Sequence, residues 1–173
     1  MEFSGKSIVV TGGSLGMGQA CSLRFAEGGG KVLVVSNDAR SVAETVATIG
    51  PNASGFIGDV RSAQDMEQAV AEAVARHGGV DILACCAGIQ RYGTVIDTPE
   101  NVWDDVFAVN LKGIYLASRF AIPEMKKRGG GAIVAFRPFK PTPRRREWLP
   151  TPPARARSTR WSGRWLSTMP PTI

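Results

Sequence analysis

Histidine is nearly absent from this 173-residue chain: there is one, His77. Cysteine is scarce as well, with Cys21, Cys85 and Cys86. Neighbours in one strand do not readily pair, and three is an odd number. A disulfide framework is therefore not expected, and a reducing cytoplasm is the expected location. No cluster has the spacing of a zinc site. No apolar run approaches the roughly 20 residues of a spanning helix. The opening residues 1–6 are polar and run straight into a strand pattern, unlike a secretory signal. No membrane partner is expected.

What the chain does contain is unevenly spread. It carries 21 basic and 15 acidic residues, a net charge of +6. Residues 135–173 hold eight arginines, one lysine and one glutamate, so they carry +8 while residues 1–134 carry −2. The same tail has eight of the 11 prolines and three of the four tryptophans, but one of the 20 glycines. The expected organisation is a folded body over 1–134 and an irregular Pro/Arg/Trp-rich tail over 135–173.

The body alternates β-branched runs with helical patterns. Strands are expected at 7–10, 32–35, 54–57, 80–85 and 132–134. Helices are expected through Glu27, over 40–49, from a capping box at Ser62 to Asp65, and as one long helix from Thr98-Pro99 to about Lys127. The first helix is expected to end at 28–30 through a left-handed glycine. Met66, Val70 and Val74 form one buried stripe. His77 falls in a last turn, where a cation suits the helix dipole. It has no expected partner and reads as structural. Unbroken apolar strands alternating with helices mean a parallel, doubly wound α/β sheet covered on both faces.

The chemistry lies at the strand ends. Thr11-Gly12-Gly13-Ser14-Leu15-Gly16-Met17-Gly18 sits between the first strand and its helix. Glycines there let backbone approach a pyrophosphate, and the helix N-terminus offers free amides. The alternative is a glycine-rich turn that holds no ligand. Further along come Asp59-Val60 after the third strand, Cys85-Cys86-Ala87-Gly88 after the fourth, and Val109-Asn110-Leu111 in the long helix.

In that order and spacing these pieces resemble the short-chain dehydrogenase/reductase family, over essentially all of residues 1–134. The resemblance implies a three-layer Rossmann-type fold with strand order 3-2-1-4-5. It also implies NAD or NADP as cofactor, and hydride transfer between nicotinamide and an alcohol or ketone carbon of a small substrate. It places the cofactor on Gly12, Ser14, Leu15, Gly16, Met17 and Gly18, on Ser36 and Asn37 after the second strand, and on Asp59 and Val60 at the adenine. Cys86, Ala87 and Gly88 continue that surface, and Asn110 is the helix asparagine that orders a proton-relay water. Two departures stand out. Ser36 replaces the acidic residue that holds a ribose 2′-hydroxyl, which leaves NAD and NADP both open, with Arg40 in reach of a 2′-phosphate or simply on the surface. Cys85 and Cys86 replace two asparagines, and Cys86 reads as a buried packing thiol.

The family's chemistry also needs a serine after the fifth strand and a Tyr-x-x-x-Lys. The two tyrosines, Tyr92 and Tyr115, have Ile96 and Arg119 four residues on. Catalysis is therefore expected to be lost, leaving a nucleotide-binding fragment or interaction protein. A reading-frame shift in a GC-rich gene is the hypothesis for the break. When the last base of each codon is joined to the first two of the next, Arg137/Pro138 permits Ser and Phe139/Lys140 reads Gln. Pro150/Thr151 permits Tyr, and Ala154/Arg155 permits Lys four codons later. The coding DNA tests this. Without the family's later elements, the fifth strand is expected to be an unpaired edge with exposed apolar surface, low solubility and impaired homo-oligomers. A competing reading has Arg144, Arg145, Arg146, the tail's five other arginines and its tryptophans bind nucleic acid. It is disfavoured because no folded module presents them.

Overall fold

Along the central strands every residue is apolar or small, and successive side chains enter different cores. In the computed structural model, which describes residues 2–136 and the short strand Thr159–Trp161, this produces two cores on either side of one sheet. Ile8, Val10, Val32, Val34 and Ala84 pack with Ala26 and Val42. Val9, Leu33, Val35, Leu83 and Cys85 pack with Met66, Val70, Leu116 and Met125. Full burial of each large apolar side chain contributes about 1.5–3 kcal/mol, so the sheet is held from both faces.

The elements are β1 (Ser7–Thr11), α1 (Gly16–Glu27), β2 (Lys31–Ser36), α2 (Ala39–Ile49), β3 (Ala53–Ile57), α3 (Ala63–His77) and β4 (Ile82–Cys85). Then come α4 (Glu100–Phe107), a π-helical segment (Ala108–Lys112), α5 (Gly113–Lys127), β5 (Gly131–Ala135) and β6 (Thr159–Trp161). The sheet order is β3-β2-β1-β4-β5-β6, with β1 to β5 all parallel. This is the expected Rossmann-type order 3-2-1-4-5. The switch in direction of winding beside β1 opens a crevice at the carboxyl ends of β1 and β4.

Several expectations are corrected. The fifth strand is not an unpaired edge: β6, from the tail, pairs antiparallel with it, Gly131 opposite Trp161 and Ile133 opposite Thr159. The rest of the tail's expected irregularity, its basic clusters and the frame-shift positions lie outside the described residues. Apolar side chains do stand exposed elsewhere, among them Val95, Ile96, Leu111 and Tyr115. The long helix starts at Glu100, with Pro99 as its cap, and is interrupted by the π segment before continuing to Lys127. Helix α1 ends through Gly28 at φ −73°, and the left-handed residue is Gly29. The buried stripe of α3 is Met66, Ala69, Val70 and Ala73, because the helical period favours i+3 and i+7 over Val74. His77 does have partners: its ring nitrogens lie 3.3 Å from Ser7 Oγ and 3.2 Å from Ser54 Oγ. Burial first, and then Lys31 and Arg76, hold its pKa below the usual histidine range, so a neutral ring replaces the expected cation.

Candidate nucleotide site

The crevice is a cavity of about 390 Å³. Its floor is the turn between β1 and α1. Gly12 has φ +64°, and a Cβ there would lie 2.6 Å from the backbone of Ala87. A Cβ on Gly18 would lie 2.0 Å from the Gly12 carbonyl oxygen. Both glycines are required for the turn to close against α1 and against the chain after β4. Helix α1 opens towards this turn with no side-chain cap at Leu15 and no acidic residue in its first turn. Its first amides and partial positive charge thus carry no carboxylate of their own. The turn is braced from behind. Ser22 Oγ lies 3.0 Å from the carbonyl oxygens of Gly13 and Gly18. Thr45 Oγ1 donates to the Ser14 carbonyl at 3.1 Å, and the Ser14 and Ser41 hydroxyls are 2.9 Å apart.

One wall comes from the ends of β2 and β3. Ser36 and Asn37 line it, together with Gly58, Asp59, Val60 and Arg61. The nearby Asp38 carboxylate turns away to cap α2, accepting the Arg40 amide at 3.1 Å. Arg40 itself pairs with Glu44 at 2.8 Å on an exposed helix face. Asp59 accepts from the Arg61 guanidinium at 2.6 Å, which is the main cause holding its carboxyl below the usual range. Arg61 also reaches Asp105 on α4 at 2.6 Å. The guanidinium therefore spans from the β3 end to α4 along the cavity wall.

The opposite wall is the chain leaving β4: Cys86, Ala87, Gly88 and Ile89. Asn110 holds it in place. Its Oδ1 accepts from the Ile89 amide at 2.8 Å and its Nδ2 donates to the Ile89 carbonyl at 2.8 Å. Asn110 sits in the π segment, where one extra residue per turn re-aims a side chain. It braces the wall and does not line the cavity.

The cavity thus gathers Gly12, Ser14, Leu15, Ser36, Asn37, Asp59, Val60, Cys86, Ala87 and Gly88. Gly16, Met17 and Gly18, in the first turn of α1, and Asn110 do not line it. Cys86, expected to be buried packing, is half-buried and forms part of the wall. Arg61, Asp105 and Ile89 line the cavity without having been anticipated, and Arg91 lines it as its position after the fourth strand suggests. Adjacency to Asp59-Val60 was the signal available for Arg61. Asp105 is 44 residues from its partner and had none.

A doubly wound sheet with a glycine turn and an uncapped helix at its switch point defines a dinucleotide-fold protein. The pattern of the short chain dehydrogenase family matches residues 6–137, and the chain belongs to that oxidoreductase family. It is 40% identical over 137 residues to an uncharacterized oxidoreductase of Thermotoga maritima, covering 78% of this chain and 54% of that protein. It is 40% identical over 144 residues to dehydrogenase/reductase SDR family member 4 of Bos taurus, covering 78% and 52%. It is 38% identical over 138 residues to cis-2,3-dihydrobiphenyl-2,3-diol dehydrogenase of Paraburkholderia xenovorans, covering 77% and 50%. The chain spans about half the length of these curated relatives.

Proposed function

We propose that this chain binds a nicotinamide dinucleotide in the crevice and does not turn it over. The observation that carries the reading is the uncapped, carboxylate-free start of α1, which opens on the cavity beside Gly12, Ser14 and Leu15. That space suits a pyrophosphate lying on the first amides of α1. Ser36 and Asn37 face the ribose at the adenine end, and Asp59 with Val60 faces the base. Cys86, Ala87 and Gly88 bound the nicotinamide half. NAD and NADP both fit this reading, because the Asp38 carboxylate caps α2 and does not stand against a 2′-phosphate.

In the family, such a dinucleotide would supply hydride chemistry with an alcohol or ketone carbon of a small molecule. Such chemistry needs an acid/base with a lowered pKa, and a phenol near pKa 10 needs a cationic neighbour to serve. The 173 residues contain no Tyr-x-x-x-Lys. Asn110 keeps a positioning role through Ile89. Three free cysteines suit a reducing cytoplasm. Among the described residues, no helix is long and apolar enough to cross a membrane.

Calorimetric titration with NAD and with NADP, beside a turnover assay over several alcohols, tests the reading. Binding of at least one dinucleotide without turnover is the expected result. Failure to bind either, or turnover comparable to an intact relative, overturns it.

A further inference from the structure

Beneath the glycine turn lies a cluster of three thiols, of which Cys86 alone lines the cavity. Cys85 and Cys86 are adjacent, yet they belong to opposite faces of the sheet. Cys85 is buried in the core of α3 and α5, and burial pushes its thiol up to about 12. Cys86 packs against the α1 side and lines the cavity. A Cβ on Gly18 would lie 3.1 Å from the Cys86 Cβ, so this turn of α1 rests directly on Cys86. Cys21 is three residues further along α1 and therefore on the same face. Its Cα–Cβ bond leans back towards the helix N-terminus, which is the turn that Cys86 touches. After burial, the neighbouring Cys21 is the main influence raising the Cys86 pKa. Both residues are half-buried, whereas Cys85 is shut in the core.

We propose that Cys21 and Cys86 form a dithiol that closes into an intramolecular disulfide across the floor of the cavity, tying α1 to the end of β4. The oxidant is a low-molecular-weight disulfide. The Cys21 thiolate attacks one of its sulfurs, forming a mixed disulfide and expelling one thiolate. The Cys86 thiolate then attacks Cys21 Sγ, forming the Cys21–Cys86 bond and expelling the second. The two cysteine protons end on the two released thiols, and the two electrons lost by the protein sulfurs reduce the reagent. Because Cys86 gives up its proton reluctantly, the second step accelerates with pH. The crosslink pulls the Cys86 side chain towards α1 and fixes the turn against residues 86–88. The resulting change in dinucleotide affinity rests on the cofactor reading above; the crosslink itself does not.

The test treats the reduced full chain with oxidised glutathione, followed by intact mass and a non-reducing peptide map. The expected product has lost two hydrogens, links Cys21 to Cys86, and leaves Cys85 free. It forms faster as pH is raised from about 7 to about 9. Cys21→Ser and Cys86→Ser each stop at a glutathione adduct on the remaining partner. A wild-type chain that keeps its glutathione adduct, or links any other pair, overturns the proposal. Titrating NAD and NADP into reduced and crosslinked protein gives the second arm. A change of at least about fivefold supports the coupling, and equal affinity overturns it. If the reduced chain binds neither dinucleotide, the cofactor reading fails, while the peptide map still decides the dithiol.

Discussion

The two ends of the sheet handle polar groups in opposite ways. At the amino end, Asp81 is buried and fully engaged. It accepts from the Ser7 amide at 2.9 Å and from Arg128 Nε at 3.0 Å, with Lys6 at 3.7 Å. Arg128 also donates to the Gly78 carbonyl at 3.2 Å, and His77 lies between Ser7 and Ser54. The protein satisfies these groups from within. At the carboxyl end, glycines, an uncapped helix start and the Asp59–Arg61–Asp105 chain are arranged around a cavity. Parallel strands joined by helices put helix N-termini at this end and C-termini at the other. One end satisfies its own polar groups and the other leaves a cavity lined by polar groups, and each can be broken separately.

The largest effect is expected at the cavity floor. In Gly12→Val, a β-branched residue must adopt φ +64° with its Cβ 2.6 Å from Ala87 backbone, and neither fault relieves the other. Loss of dinucleotide binding by about 100-fold or more is expected, with about 2–4 kcal/mol of stability, read by calorimetry and thermal melting. Gly50→Ala is the control. Its φ is +81° but nothing lies within 4 Å of the added Cβ, and it stands away from the cavity. With ψ at −142° it lies outside the left-handed helical region, so it should cost about 1–3 kcal/mol and leave affinity unchanged. Equal binding loss in both variants would show that Gly12 matters only to the fold.

Next comes Asn110→Ala, which removes both hydrogen bonds to Ile89. A destabilisation of about 1–3 kcal/mol is expected, because the Ile89 amide and carbonyl lose their partners. Affinity should fall several-fold as the 86–89 wall loosens. Wild-type affinity in a stable variant would refute the bracing role. Asp81→Asn makes the matching change at the other end. It should cost about 1–3 kcal/mol, since Arg128 and Lys6 lose a charge-assisted partner. Dinucleotide affinity should be unaltered; a parallel fall in binding would mean the two ends are not independent.

The same contrast explains how much was legible in the sequence. Gly12 to Gly18 declare themselves because a tight turn makes purely local demands, and the parallel sheet follows from apolar strands separated by helices. The capping residues Ser62 and Asp65 are legible for the same reason, although the carboxylate closes on the Asp59 amide. The structural role of His77 was legible, but its partners were not, because Ser7 is 70 residues away. Arg61 and Asp105 meet only once α4 lies beside the β3 end. The π segment escapes a pattern of period 3.6, since one inserted residue barely disturbs the apolar stripe. The pairing of β6 with β5 was hidden because Thr159–Trp161 lies in a stretch with no strand period of its own.

The smallest effect concerns His77. In the folded chain its ring is kept neutral by burial, then by Lys31 and Arg76, with Glu72 acting weakly the other way. An unfolded histidine titrates near pKa 6.5. As pH falls below that value, the unfolded chain takes up a proton that the folded chain resists. The unfolded state then binds more protons, so stability rises with pH and its histidine contribution is complete above about 6.5. It declines as pH falls towards the folded pKa. Asp81 acts in a separate, more acidic window. Burial raises its carboxyl, but hydrogen bonds from Arg128 and Ser7 outweigh that and hold it below its ordinary range. Its contribution is therefore complete above about 4 and lost only below that. Urea melts between about pH 5 and 8 should show a shallow rise in stability that His77→Asn flattens while Asp81→Asn retains it. A slope that survives in His77→Asn would place the titrating group elsewhere and remove the imidazole from the self-satisfied end of the sheet.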